Sequence, residues 1–287
     1  MISADEQKTY EQNLVMNFVA ETKSHGDPVH YSRALAMQGE LYSRQGQYET
    51  ALSCHEKLKR VYDVKRHSAL VVASYQTDRS AQNYGNGANC LYRLGRKKEA
   101  LEVCNWILDT LMPQMDMKNV HNSMIMIYPT LWVFKNENMP KRALNALERF
   151  VFDPFDRYFG EKGKTFSLVM FKPLKVLFTI LIFNQGNGEP IDESYTTWAL
   201  QPNSLEIPPA VNNSMANFAR CGSSIGAEVC LLLSELTQDE SVSTQLLNKG
   251  WGLIQTAMEI AQKCGDHQTT YFEAKVVFDK ISNLRQT

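Results

Sequence analysis

Several of the features that announce a membrane, secreted or nucleic-acid-coating protein are missing from this 287-residue chain. No apolar run reaches the roughly 20 residues of a membrane span; the longest, residues 174–183, carries Lys175 inside it. Six cysteines are too sparse for a disulfide scaffold. Neither Cys90 with Cys104 nor Cys221 with Cys230 has the close spacing of a structural zinc site. With 30 Lys and Arg against 31 Asp and Glu, no cationic excess exists to coat a polyanion. Residues 1–12 are polar and acidic, which is not a signal peptide. The expectation is a protein of the cytosol.

Catalytic and nucleotide signatures are equally scarce. No glycine-rich loop ends in Gly-Lys-Ser or Gly-Lys-Thr, and His-Glu-x-x-His is absent. Gly85-Asn86-Gly87 and Gly186-Asn187-Gly188 read as turn-like or flexible glycines. Cys54 and His55 are adjacent, so on a helix they point apart. The carboxylate pairs are Asp153 with Asp156, Asp192 with Glu193, and Asp239 with Glu240; the first and third suit helix starts. Ser223 and Ser224 sit between Gly222 and Gly226 without forming a Gly-x-Ser-x-Gly elbow. The reading is of no cofactor, no metal and no catalytic set.

What is present is helical periodicity almost throughout, with no convincing alternation of polar and apolar residues between hairpin turns. The fold class is all-α. Residues 1–24 read as a lone helix with a stripe through Tyr10, Leu14 and Phe18, and His25-Gly26-Asp27-Pro28 breaks it. Residues 152–183 form a helical extension, in which Asp153-Pro154 suits an N-cap with Pro at the first helical position. Residues 184–209 read as a long loop holding Tyr195 and Trp198, and 210–287 as further helices near 210–237, 241–263 and 268–284.

Residues 28–151 repeat. Ala51-Leu52, Ala100-Leu101 and Ala143-Leu144 recur 49 and 43 residues apart. Gly39, Tyr42 and Gly46 precede the first pair; Ala88, Leu91 and Gly95 precede the second. Small residues at Gly39 and Ala88 let paired helices approach closely. Gly46 and Gly95 stand where the chain must reverse, and a residue without Cβ reaches left-handed dihedrals cheaply. Each helix pair leaves an apolar flank that the next pair covers.

The passages GELYSRQGQYETAL, ANCLYRLGRKKEAL and LWVFKNENMPKRAL resemble the tetratricopeptide repeat, the third with Asn138 in the glycine position. The resemblance covers roughly residues 32–151, and the long period is similar to that of kinesin light chains. It implies a right-handed α-solenoid of stacked antiparallel hairpins that binds a protein or peptide on its concave face. Carried over, that face includes Arg33, Glu40, Arg44, Gln82, Asn86, Asn89, Arg93, Lys135 and Asn136. Of these, Arg44, Asn86, Asn89, Arg93, Lys135 and Asn136 form the expected peptide-binding set. Asn offers both a donor and an acceptor to a peptide backbone, and Arg meets carboxylates through paired N–H groups. The family's clamp for paired carboxylates wants Lys, Asn, Asn, Lys, Arg; here Ala36, Glu40, Ile125 and Pro129 depart from it and Asn86 fits.

Two other functions stay open. One is an enzyme or small-ligand sensor with a pocket near residues 184–226. The other is a self-associating structural module, since an uncapped repeat end is adhesive. The basic stretch Lys57, Lys59, Arg60, Lys65 and Arg66 reads as a solvated helix end or as a contact for phosphate or an acidic peptide. Six of the 12 methionines fall within residues 112–139, as irregular core filling or as an adaptable groove.

Overall fold

A computed structural model describes residues 4–75, 78–115, 120–154, 160–202, 204–205, 216–263 and 270–285. Among them are 13 α-helices and no strand. None of these helices is long and apolar enough to cross a membrane. The chain divides into two compact units, Met1–Phe159 and Gly160–Thr287.

The first unit contains α1 (Ala4–His25), α2 (Pro28–Arg44), α3 (Tyr48–Val61), α4 (Val64–Tyr75), α5 (Arg79–Arg93), α6 (Lys97–Trp106), α7 (Val120–Asn136) and α8 (Pro140–Leu147). Short turns join α2 to α3, α5 to α6 and α7 to α8, and the members of each pair pack together. Helix α5 is the hub: it touches both α2 and α3 of the preceding pair, its own partner α6, and α7 of the next. Helices α6 and α8 each run on through a π-helical turn, Ile107–Leu111 and Glu148–Phe152.

One turn is used three times. Gly46, Gly95 and Asn138 have φ of 74°, 78° and 56°. The N–H of each donates to the carbonyl three residues back, to Ser43, Tyr92 and Lys135 at 3.0, 3.0 and 3.1 Å. The next N–H donates five residues back, from Gln47 to Tyr42, Arg96 to Leu91 and Met139 to Phe134. This left-handed closure satisfies the last carbonyls of the first helix of each pair. Asn138 fills the glycine position because Asn tolerates left-handed dihedrals better than other residues with a Cβ. Five residues beyond each turn residue stand Ala51, Ala100 and Ala143, all with no exposed surface.

The 49-residue spacing comes from an inserted helix. Between the first and second pairs the chain forms α4, capped by the Asp63 carboxylate, which accepts from Lys65 N and Arg66 N at 2.9 and 3.2 Å. Helix α4 packs on α2 and α5 and buries Val71. The Tyr62 hydroxyl donates to the buried Asp78 carboxylate, which also caps α5 by accepting from Ala81 N at 2.9 Å. The end of α3 is thus tied directly to the start of α5. The basic stretch straddles the α3–α4 joint with all five of its cations exposed.

Several expectations need correction here. Gly85 and Gly87 lie inside α5 and are buried, not in a turn. The His55 ring of α3 lies against α5 at Gly87 and against α2 at Gly39. A Cβ at Gly39 would stand 3.3 Å from His55 Cε1, and one at Gly87 3.4 Å from Cδ2. Helix α1 buries Val15 and leaves Tyr10 and Leu14 exposed, so its stripe is rotated from the expected one. Asp153 continues a helical backbone at φ −58° and ψ −45° and is not an N-cap; Asp156 lies outside the described residues.

The second unit contains α9 (Gly160–Asn184), α10 (Glu193–Leu200), α11 (Ala216–Leu236), α12 (Glu240–Lys263) and α13 (Thr270–Leu284). Helix α11 packs on α9, α12 and α13, and α12 on α13. The approach is close at Gly250, where a Cβ would stand 3.1 Å from Cys230 Cβ. Helix α9 ends at Gly186 with the same left-handed turn, φ 69°. Residues 184–209 are therefore not all loop. Asp192 caps α10 by accepting from Ser194 N at 2.7 Å, and Tyr195 and Trp198 sit on that helix. Asp239 caps α12 through Ser241 N and Val242 N at 2.9 and 3.2 Å.

Candidate functional site

The expected binding residues divide by what surrounds them. Asn86, Asn89 and Arg93 follow one another at three and four residues along α5, which places them on one side of that helix. All three are half-buried. The Asn89 Oδ1 is shielded from solvent and has no hydrogen-bond partner among the described residues. The Arg93 guanidinium lies 4.3 Å from the centre of the Trp132 ring on α7, and Trp132 in turn meets Tyr92 edge-on at 5.2 Å. A stacked guanidinium keeps its charge while its plane is fixed.

Arg44 goes elsewhere. It ion-pairs with Glu11 on α1, so it fastens the first helix to α2. Asn136 donates from Nδ2 to the Trp132 carbonyl on its own helix at 2.8 Å, and its side chain is exposed. Lys135 is half-buried beside it. Glu40 accepts from Arg79 at 3.3 Å. Arg33 lies 5.3 Å from the Tyr75 ring centre, and burial, reinforced by the neighbouring Arg79, pulls its guanidinium down to about 10. Of the six residues expected to hold peptide, the structure brings Asn86, Asn89 and Arg93 together, and it gives Arg44 a partner on α1 and Asn136 one on its own helix.

Trp132 belongs to this face and was not among the expected residues. A register signal for it exists in the sequence. Counting six residues back from the turn residues Gly46, Gly95 and Asn138 gives Glu40, Asn89 and Trp132. The second and third helix pairs are also bridged at their exposed margin. Tyr92 donates to Glu137 at 2.8 Å and Lys97 pairs with the same carboxylate at 2.9 Å. The Lys97 and Tyr92 hydrogen bonds hold the Glu137 carboxyl below its ordinary range.

Cys54, Cys90, Cys104 and Cys230 are buried free thiols. Burial pushes the Cys90 thiol to about 11 and the Cys104 thiol to about 12, the reverse of what a nucleophile needs. Among the described residues no three His, Cys, Asp or Glu gather as a metal site would require. Met112 and Met115 pack in the core of the first unit. In the second unit Lys172 lies 4.6 Å from the Trp198 ring centre, and burial lowers its ammonium below the usual lysine value. Residues 206–215, part of the region expected to form an alternative pocket, lie outside the described residues. Neither the family models nor the curated proteins compared with the chain match it.

Proposed function

We propose that the chain is a non-catalytic protein-binding module, its helix pairs stacked as a right-handed α-solenoid of the tetratricopeptide type, with an extended peptide held along α5. The shared turn and the packing of α5 against both helices of the preceding pair support the stacking. The observation that carries the binding reading is the unpartnered Oδ1 of Asn89. A shielded acceptor left unmade costs about 1–3 kcal/mol, and a peptide N–H would satisfy it once the half-buried carboxamide turns outward. Asn86 adds a second carboxamide one turn away, and Arg93, steadied on Trp132, adds a positive charge for an acidic group.

The test is selection of a random peptide library on the immobilised chain, run in parallel on an Asn89→Ala, Arg93→Ala double variant. A consensus that carries an acidic residue and is enriched on the wild type alone supports the reading. The same enrichment on both would move binding away from α5.

A further inference from the structure

The other side of α5 borders a cleft. Tyr84 and Leu91 lie opposite Asn86, Asn89 and Arg93 around the helix, and with α3 and α6 they bound a space of about 610 Å³. Cavities for small organic ligands run from about 300 to 1,000 Å³. Leu52, Leu91 and Val103 make its walls apolar. Tyr84 and Trp106 meet in it with ring centres 5.1 Å apart. A smaller cavity of about 20 Å³ shares Leu52, Leu91 and Val103 with it and is lined in part by His55 and Asn83. Both side chains are almost wholly buried. His55 Nδ1 and both polar atoms of the Asn83 carboxamide lack hydrogen-bond partners among the described residues. That cavity has room for one water or one small polar group.

Charge and aromatic contacts select among ligands. On the rim, Lys59 is paired with Glu56 at 2.8 Å, and Arg96 with Glu99 through two bonds of 2.7 and 2.6 Å. Glu102, also on the rim, has no ion pair among the described residues, which leaves the lining one negative charge in excess. Four residues on, one turn along α6, stands Trp106, 40% exposed. The other three tryptophans each hold a cation of this chain over the ring: Arg93 on Trp132 at 4.3 Å, Lys172 on Trp198 at 4.6 Å and Arg285 on Trp251 at 4.9 Å. Trp106 holds none among the described residues, although a carboxylate stands beside it.

We propose that the cleft between α3, α5 and α6 binds an organic cation, a guanidinium or ammonium on an apolar body, with the charge over Trp106 beside Glu102 and the body against Leu52, Leu91 and Val103. The unpaired Asn83 and His55 groups provide a polar floor for a water or a polar tip beneath it. This site is independent of the peptide face proposed above.

The test titrates the full chain with phenethylguanidinium, with its neutral isostere phenethylurea, and with acetyl-Leu-Arg-amide. The readout is the indole N–H resonance of Trp106, identified by its loss in Trp106→Phe. The guanidinium should saturate this signal, and the urea should bind about tenfold more weakly, the scale of a desolvated cation–aromatic contact. Glu102→Gln should weaken the guanidinium several-fold and leave the urea unchanged, and Trp106→Leu, which lacks that resonance, should do the same in calorimetric titration. Glu102 is exposed, so its variant tests charge without risk to the fold. Tighter binding of the dipeptide assigns the cation to a peptide side chain; tighter binding of phenethylguanidinium assigns it to a free amine-type ligand. Equal affinity for guanidinium and urea, no effect of Glu102→Gln, or no binding by any probe up to about 10 mM overturns the proposal.

Discussion

The imidazole of His55 rests on the backbone of Gly39, so closely that a Cβ there would stand 3.3 Å from Cε1. Gly87 meets the same ring from α5. The ring cannot retreat far, because backbone lies on both sides. Two effects then compete at Gly39→Ala. The helix gains about 0.5–1 kcal/mol from replacing Gly. Overpacking a contact with no slack costs about 1–3 kcal/mol. Overpacking should win, giving a net loss of about 1 kcal/mol in urea denaturation. In a His55→Ala background the crowding is gone, and the same Gly39→Ala change should stabilise. A double-mutant cycle with no coupling between the two sites would remove His55 as the reason for the glycine.

The same histidine sets a pH dependence. Burial lowers its pKa to about 3 from an ordinary 6.5, so the folded chain holds it neutral. Between those values the unfolded chain binds the proton and the folded chain does not. Stability contributed by the neutral ring is therefore full above pH 6.5 and is lost as the pH falls toward 3. The slope approaches about 1.4 kcal/mol per pH unit for one proton. His55→Gln removes this group and leaves the carboxylates in place. The difference in unfolding free energy between wild type and His55→Gln should shift in the variant's favour from pH 6.5 to 4.5. A constant difference across that range would mean that His55 protonates in the folded state.

The three turn residues should not tolerate substitution equally. Asn138 holds φ at 56°, where a Cβ is unfavourable and Asn is among the better-tolerated residues. Asn138→Ala should cost about 1 kcal/mol, while Asn138→Gly should be neutral or stabilising. Thermal unfolding of both variants checks this. Equal losses for both would show that the Asn138 side chain matters more than its backbone.

Ala51 and Ala100 are enclosed where α3 and α6 turn inward. Ala51→Leu and Ala100→Leu should each lower stability by about 1–3 kcal/mol through overpacking. Midpoints in urea that match the wild type would show that these positions have room.

The turns were legible because their chemistry is local. Gly46 and Gly95 stand where backbone geometry demands them, and Asn138 is found by aligning the third pair with the first two. Helix α4 was not legible, because it buries Val71 and little else and so shows no apolar stripe. Gly85-Asn86-Gly87 reads as a turn on local propensity but lies inside α5, packed on α2 and α3, with Gly87 against His55, 32 residues before it in sequence. Tertiary contact overrode the local signal there. The candidate face shows the same split. Asn86, Asn89 and Arg93 follow from register on one helix, whereas the Arg93–Trp132 stack depends on how α7 sits on α5, which no single-helix pattern encodes.

That stack gives Asn89 and Arg93 different signatures. Asn89 Oδ1 makes no bond within the described protein, so Asn89→Ala removes an unpaid cost and should leave the melting temperature unchanged or slightly raised. Arg93→Ala also strips a cation from Trp132 and should lower stability by about 0.5–1 kcal/mol. Against a peptide selected on the wild-type chain, calorimetric titration should show both variants weaker, Asn89→Ala by about 1–3 kcal/mol through the lost amide bond. The salt dependence should separate them further. Affinity for an acidic peptide should fall with ionic strength in wild type and in Asn89→Ala, and much less in Arg93→Ala, because a charge pair is screened and a neutral hydrogen bond is not. If all three chains bind the peptide equally, the binding face is not on this side of α5. If Asn89→Ala unfolds, its carboxamide ties neighbouring helices together, and the shielded Oδ1 has a structural role in place of a binding one.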